Sequence, residues 1–377
     1  MLERMRVIDV SSFMPGHYAS TLLAELGADV VQVEPPGGLP ARHLPGLFDS
    51  TCRNRRSVML DLKRDSARQA FRRLAAGADA VIEGFRPGVA ARLGIDYQTL
   101  AAESPGLIYC SISGFGQEGP LRDWMGHDTN YVAMSGGLAV FEDPVGPRPF
   151  GLPVGDLTAS LHTVIGILAA LLERRETGRG RYLDVAISDG PLSFAVPRAA
   201  ELLFTGALPR RGIARGVFAT RDRRYLTLAV VEQHAWQALC KAVGQPELAE
   251  DPRFRTHADR NANADEIESL FAGIFREHTL AEWTARLDGS RCSWAPVHTL
   301  EEAFGHPHVS ARGLVRMLAA GGGQVPVMTL PVKGLAPGAP APSPPPRAGE
   351  HTRAVLAELG YSDRELQELA DEGAISP

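Results

Sequence analysis

The stretch RVIDVSSFMPGHYASTLLAELGADVVQVE, Arg6 to Glu34, decides the fold. Arg6–Val10 is a short apolar run of strand length, and Tyr18–Leu26 carries its apolar residues at helical spacing. Ala28–Val33 is strand-like again until Pro35 and Pro36 stop it. Two strands joined through one helix over so short a span form a βαβ unit, whose strands lie parallel. The alternation continues outward: Ser57–Leu62 reads as strand, Ser66–Ala76 as helix, and Ala80–Glu83, Leu107–Ile112 and Arg181–Ile187 as strands. This predicts an α/β fold, a Rossmann-like large domain with a parallel sheet and helices on both faces. Right-handed crossovers then put ligand loops at the carboxyl ends of the strands. The turn after the first strand, Ser11-Ser12-Phe13-Met14-Pro15-Gly16, is neither a GxGxxG nor a P-loop, so a redox dinucleotide is not expected.

At 377 residues the chain exceeds one ordinary core. We divide it into a large domain over 1–208, a smaller mixed α/β domain over 209–331, and a segment over 332–377 returning to the large domain. The basic, glycine-containing segment Pro209–Gly216 reads as a hinge and Ala336–Pro346 as an extended linker. Glu350–Leu359 and Ser362–Glu372 read as short amphipathic helices. A net charge of −5 argues against nucleic acid or an anionic membrane as partner. Four cysteines without CxxC spacing suit reduced thiols, hence a cytoplasmic protein. The N-terminus lacks a signal-like apolar stretch, and the longest apolar run, Leu161–Leu172, predicts a buried helix.

Three segments carry chemistry: SGFGQEGP (Ser113–Pro120), GHDTNY (Gly126–Tyr131) and VGDLTAS (Val154–Ser160). The first is a turn-rich loop leaving a strand. The second groups His127 and Asp128 with Asn130 and Tyr131. In the third, Asp156 precedes an apolar helix over Leu157–Glu176, where the economical reading is an N-cap. His306 and His308 lack a third ligand, so no metal is expected.

Taken together the segments resemble the family III CoA-transferases (the carnitine, bile-acid and formyl-CoA transferase type) and their relatives, the alpha-methylacyl-CoA racemases. The resemblance includes Arg6–Gly38, NRRSVMLDLK (Asn54–Lys63), ADAVIEGFRPGVAARLGIDYQTL (Ala78–Leu100), ERRETGRGRYLDVAISDG (Glu173–Gly190) and APVHTLEEAFGHPHVSARG (Ala295–Gly313). It implies two chains interlinked as a homodimer, an acyl-CoA substrate, and no cofactor beyond that coenzyme A. It implies that Asp156 is the catalytic aspartate. It implies CoA-binding loops at Phe13, Met14 and Pro15, at Leu60 and Lys63, and at Phe85, Arg86 and Arg92. Arginine and lysine suit the phosphates of such a ligand, and Phe85 or Leu60 its adenine.

Two reactions fit the aspartate. In transfer, its carboxylate attacks the thioester carbonyl and carries the acyl group. In racemisation, one group removes the α-proton and another returns it on the opposite face. GHDTNY resembles the racemase motif, in which His127 is the second base, oriented by Glu232 in AVVEQHAW (Ala229–Trp236), with Asp128 and Tyr131 in support. Backbone N–H groups at the start of the Leu157 helix would meet the enolate oxygen. Leu152, where the racemases carry asparagine, and Leu157-Thr158-Ala159-Ser160, where they carry a glycine-rich run, point to transfer. Against transfer, Gly321-Gly322-Gly323 is the only candidate for the glycine-rich loop that some transferases close over the intermediate, and it lies late in the chain. The balance favours the racemase of 2-methylacyl-CoA, with CoA transfer as the alternative.

Overall fold

The computed structural model describes residues 1–44, 46–139, 146–207, 216–320, 323–335 and 342–376. The hinge over 209–216, apart from Gly216, lies outside them, as do Gly321, Gly322 and residues 336–341 of the linker. Two compact units result, Met1–Arg198 with Arg312–Pro377, and Ala199–Ala311.

The first unit begins with β1 (Arg6–Asp9), α1 (Met14–Glu25), β2 (Asp29–Glu34), α2 (Leu47–Thr51) and β3 (Arg56–Met59). It continues through α3 (Asp65–Ala76), β4 (Ala80–Glu83), α4 (Val89–Leu93), α5 (Tyr97–Glu103) and β5 (Ile108–Ser113). Then follow α6 (Asp128–Met134), α7 (Val154–Thr177), β6 (Tyr182–Ala186) and α8 (Asp189–Thr205), which runs into the second unit. The six strands form one sheet in the order β3-β2-β1-β4-β5-β6, parallel throughout. This is the predicted α/β architecture, and its cause is legible in the strands. Val7 and Ile8, neighbours pointing to opposite faces, are both fully buried, so each face must be covered by helices. Ile8, Val31, Val58 and Val81 pack against Phe71 and Leu74 of α3 on one face. Val7, Val30, Ile82 and Ile108 pack with Leu22 of α1 and Ile167 of α7 on the other.

The second unit holds β7 (Gly216–Ala219), β8 (Tyr225–Leu228), α9 (Gln233–Ala242), α10 (His257–Ala262), α11 (Ala264–Phe275), α12 (Leu280–Leu287), β9 (Trp294–Pro296), α13 (Leu300–Gly305) and α14 (Pro307–Arg312). Its antiparallel sheet, β7-β8-β9, shares a core with Trp236, Phe271 and Trp283. After it, β10 (Val315–Ala320) and β11 (Gly323–Met328) form a hairpin, followed by α15 (Thr352–Glu358) and α16 (Asp363–Asp371). The start of α15 covers the edge strand β3, with Met59 N–H donating to Thr352 Oγ1 at 3.0 Å and His351 N–H to Ser57 O at 2.9 Å.

Two helices depart from expectation. α1 starts at Met14 rather than Tyr18, because Pro15 is preset for a first helical turn and lacks the N–H that such a turn leaves unpaired. α7 is buried along one side only. Thr163, Val164, Ile167 and Ala170 face the core, while Leu161, Ile165 and Leu172 stand exposed. The helix is long and apolar enough to cross a membrane, yet that inner side packs in a protein core.

Candidate active site

The strand order reverses between β1 and β4, and ligands of such sheets bind in the crevice outside the carboxyl ends at that point. The segments leaving β1 and β4 touch there: a methyl group on Gly84 would lie 3.2 Å from Ser11 Cβ. The first segment is held from below. Asp9 Oδ1 accepts the Ser11 N–H at 2.9 Å and hydroxyl at 2.6 Å, and Asp9 Oδ2 accepts the Ser20 hydroxyl at 2.5 Å. Arg55, buried with Asp9 at 3.3 Å, donates to Gln32 Oε1 at 2.6 Å and His17 O at 2.8 Å. Burial pushes the His17 imidazole down to about 4, so the ring is neutral beside Ser11 O, 3.2 Å from Nε2. A fully satisfied buried network of this kind fixes one backbone path.

On that path Phe13 is exposed, Met14 half-buried and Pro15 buried. After β4, Glu83 accepts the Phe85 N–H at 2.7 Å, and the Phe85 ring packs partly against the core. Burial pushes the Glu83 carboxyl up to about 7, against hydrogen bonds from Ser111 and Phe85. Lys63, Arg86 and Arg92 are exposed. Leu60 corrects the expectation: its side chain is 1 % exposed in the core, so it cannot cover an adenine.

Asp156 also departs from its expected place. α7 starts at Val154 after Pro153, so Asp156 is in the first turn and not the cap. There the helix dipole favours its charged form. Burial outweighs this and pushes the carboxyl up to about 7, with the charge of Asp128 adding to the rise. Asp128, first residue of α6, accepts the Asp156 N–H on Oδ1 at 3.1 Å. The first-turn amides are mostly spent. Val154 donates to Leu152 O at 2.9 Å and Leu157 to Pro153 O at 3.0 Å, leaving Gly155 N–H unpaired among the described residues. Leu152 itself is exposed.

His127 precedes α6. Its N–H donates to Asn130 Oδ1 at 3.0 Å, while its ring is exposed and makes no hydrogen bond among the described residues. Tyr131 is a pin: its hydroxyl donates to Gly126 O at 2.5 Å, and its ring meets Phe115 edge-on at 5.2 Å. A methyl on Gly114 would lie 2.7 Å from this ring, so the glycine admits it. α6, α7 and the loop after β5 therefore form one block. The same block reaches the β1 crevice through Ser160, whose Oγ lies 2.8 Å from both Pro15 O and Asp156 O.

The block thus joins a carboxyl pushed up to about 7, through Asp128, to the residue that carries an exposed imidazole. The profile of CoA-transferase family III matches residues 2–352. The chain belongs to CoA-transferase family III. It is 33% identical to an acetyl-CoA:oxalate CoA-transferase of Acetobacter aceti, over 90% of this chain and 92% of that one. It is 32% identical to the alpha-methylacyl-CoA racemase of Mus musculus, over 98% and 96%. The crystal structure of a CAIB/BAIF family protein from Brucella suis matches with a TM-score of 0.83 at 30% identity, covering 94% of this chain and 98% of that chain.

For a family III acyl-CoA enzyme the remaining residues fall as follows. Glu232 stands exposed in the second unit, immediately before α9. His306 Nδ1, at the end of α13, accepts the N–H of His308 in the exposed first turn of α14 at 3.1 Å, and among the described residues no group of three or more His, Cys, Asp or Glu could hold a metal. Sequence reasoning passed over Ser160, although its spacing of one turn from Asp156 puts it on the same helix face. It also passed over Glu83, whose burial only the sheet creates.

Proposed function

We propose that this family III acyl-CoA enzyme racemises 2-methylacyl-CoA by moving the α-proton between Asp156 and His127. The observation that carries this reading is the Asp156 carboxyl, held near neutrality and tied through Asp128 to the residue next to an unpaired imidazole. A base with its pKa near the working pH both takes and returns a proton readily. Ionised Asp156 removes the α-proton from one isomer, giving an enolate thioester. The enolate oxygen is met by the Gly155 N–H, in place of the several helix-start donors expected. His127, protonated, delivers a proton to the opposite face. The step ends with Asp156 neutral and His127 uncharged, ready for the reverse direction or for exchange with solvent.

Coenzyme A lies across the β1/β4 crevice, against Phe13, Met14 and Pro15, near Lys63 and Phe85, with Arg86 and Arg92 on its phosphates. No further cofactor enters. Two chains pair as an interlinked homodimer, which the exposed apolar side of α7 supports. The four cysteines are buried and unpaired, in keeping with the cytoplasm.

CoA transfer is the second reading, favoured by the oxalate CoA-transferase relative and by Leu152. Here Asp156 attacks the thioester carbonyl, CoA leaves as thiolate, and an aspartyl anhydride holds the acyl group. The test is proton exchange in heavy water over a panel of acyl-CoAs. Deuterium at the α-carbon, lost in His127→Ala, is expected. Its absence, with CoA passing to a free acid and hydroxylamine trapping an adduct on Asp156, would establish transfer instead.

A further inference from the structure

The turn that follows Phe85 is closed by Gly88, whose φ of +81° is natural to glycine. A methyl group placed there would lie 3.5 Å from Arg92 Nη1 and 4.0 Å from Arg122 Nη2, with no third neighbour inside 4 Å. Arg92 comes from α4, after β4. Arg122 comes from the loop after β5, where its N–H donates to Gly119 O at 3.3 Å. Two segments from the carboxyl ends of adjacent strands thus bring two guanidinium groups to one open point. Neither side chain has an ion pair or hydrogen bond among the described residues. Elsewhere in this unit, Arg6, Arg42, Arg53, Arg55, Arg56 and Arg174 each hold a carboxylate.

Two like charges about 4 Å apart repel by about 1 kcal/mol in water, and by more near a protein surface, so two guanidinium groups that share one open point gain nothing from each other. An anion between them reverses the sign, and ten unspent N–H donors are available to it. A tetrahedral phosphate accepts from two guanidinium forks at once, which a point charge such as ammonium serves less well. We infer that Arg122 and Arg92 form a clamp over Gly88 that takes a phosphate of the nucleotide end of coenzyme A. The clamp rests on the acyl-CoA reading above and adds to it Arg122, a residue from outside the β1/β4 crevice.

The experiment titrates the full chain, as wild type, Arg122→Ala, Arg122→Lys, Arg92→Ala and the double alanine variant, with CoA, 3′-dephospho-CoA and pantetheine. Arg122→Ala is expected to weaken CoA binding roughly tenfold, Arg122→Lys by less, and pantetheine binding is unmoved. The double variant loses less than the product of the single losses, because both side chains act on one phosphate. A loss seen with CoA and not with 3′-dephospho-CoA assigns the 3′-phosphate, and an equal loss with both assigns the diphosphate. Unchanged CoA affinity in Arg122→Ala, or an equal loss with pantetheine, overturns the clamp. Wild type that binds no CoA would instead overturn the acyl-CoA reading beneath it.

Discussion

The backbone N–H of Asp156 donates to Asp128 Oδ1 at 3.1 Å. One carboxylate therefore has two effects on the other residue: it anchors the first turn of α7, and its negative charge opposes ionisation of the Asp156 side chain. Because Asp128 directly follows His127, the same bond sets where the imidazole leaves the chain relative to α7.

Asp128→Asn separates these effects. The amide oxygen still accepts the Asp156 N–H, but the charge is gone, so Asp156 ionises at lower pH. In the direction where Asp156 is the base, the acid limb of kcat/KM for α-proton exchange, expected near pH 7 in wild type, moves down. Asp128→Ala loses the anchor as well, and its maximal rate should fall about tenfold or more. An acid limb at the same pH in wild type and Asp128→Asn would show that Asp156 does not set it.

The raised Asp156 carboxyl also has a stability consequence. Its folded pKa of about 7 exceeds the ordinary 3.8, so the folded protein binds this proton more tightly than the unfolded chain. The stability involved is fully present below pH 4 and is lost as pH rises through 7. Asp156→Asn removes the penalty of a buried charge. At pH 8 it is expected to be more stable than wild type by about 1–3 kcal/mol, discounted for partial exposure, while losing activity. Urea unfolding at pH 4 and pH 8 measures this, and the gap between the variants should close at the lower pH. Equal stability of the two proteins at pH 8 would show that burial does not strain the carboxylate.

Much of this was legible in the sequence, and the exceptions share a cause. Apolar runs located all six strands of the main sheet, because the central ones are buried on both faces and leave a local signature, while the edge strand β6 keeps only alternate residues inward. The order of segments singled out GHDTNY and VGDLTAS, and in the structure the two meet where the Asp156 N–H donates to Asp128. The first turn of α1 was missed because Met14-Pro15-Gly16 reads as a turn until a helix packs behind it. Asp156 was read as a cap since sequence shows a helix start only to within a residue or two. Leu60 and Arg122 were misread or passed over for a deeper reason. Which side a residue faces at the end of a strand, and which residue meets Gly88 across two loops, are decided by tertiary contacts alone.

The network beneath the Ser11 turn should be fragile to one change and tolerant of its companion. Arg55 and Asp9 are both buried, at 1% and 0% side-chain exposure. Arg55→Met strands Asp9 as an uncompensated charge and leaves Gln32 Oε1 without its donor, so a loss of about 3–5 kcal/mol is expected. Adding Asp9→Asn removes the charge and should recover part of that loss. Chemical unfolding of the single and double variants tests this. A double variant less stable than Arg55→Met would show that Asp9 is held adequately by Ser11 and Ser20.

The exposed side of α7 bears on assembly. Leu161, Ile165 and Leu172 are 46%, 62% and 62% exposed and recur at spacings of four and seven, which lines them along one side of the helix. Their inward neighbours Val164 and Ile167 are buried, so the stripe is surplus to the core of a single chain. Burying one such side chain contributes about 1.5–3 kcal/mol, and contiguous exposed apolar surface of this kind marks an interface. The expectation is a dimer in solution whose contact includes this stripe. Replacing Ile165 and Leu172 together by glutamate would place two charges in it, and sedimentation should show the dimer shifted to monomer at micromolar concentration. The circular dichroism of the variant should match wild type, since neither side chain packs inward. A dimer of unchanged affinity in that double variant would exclude this side of α7 from the contact.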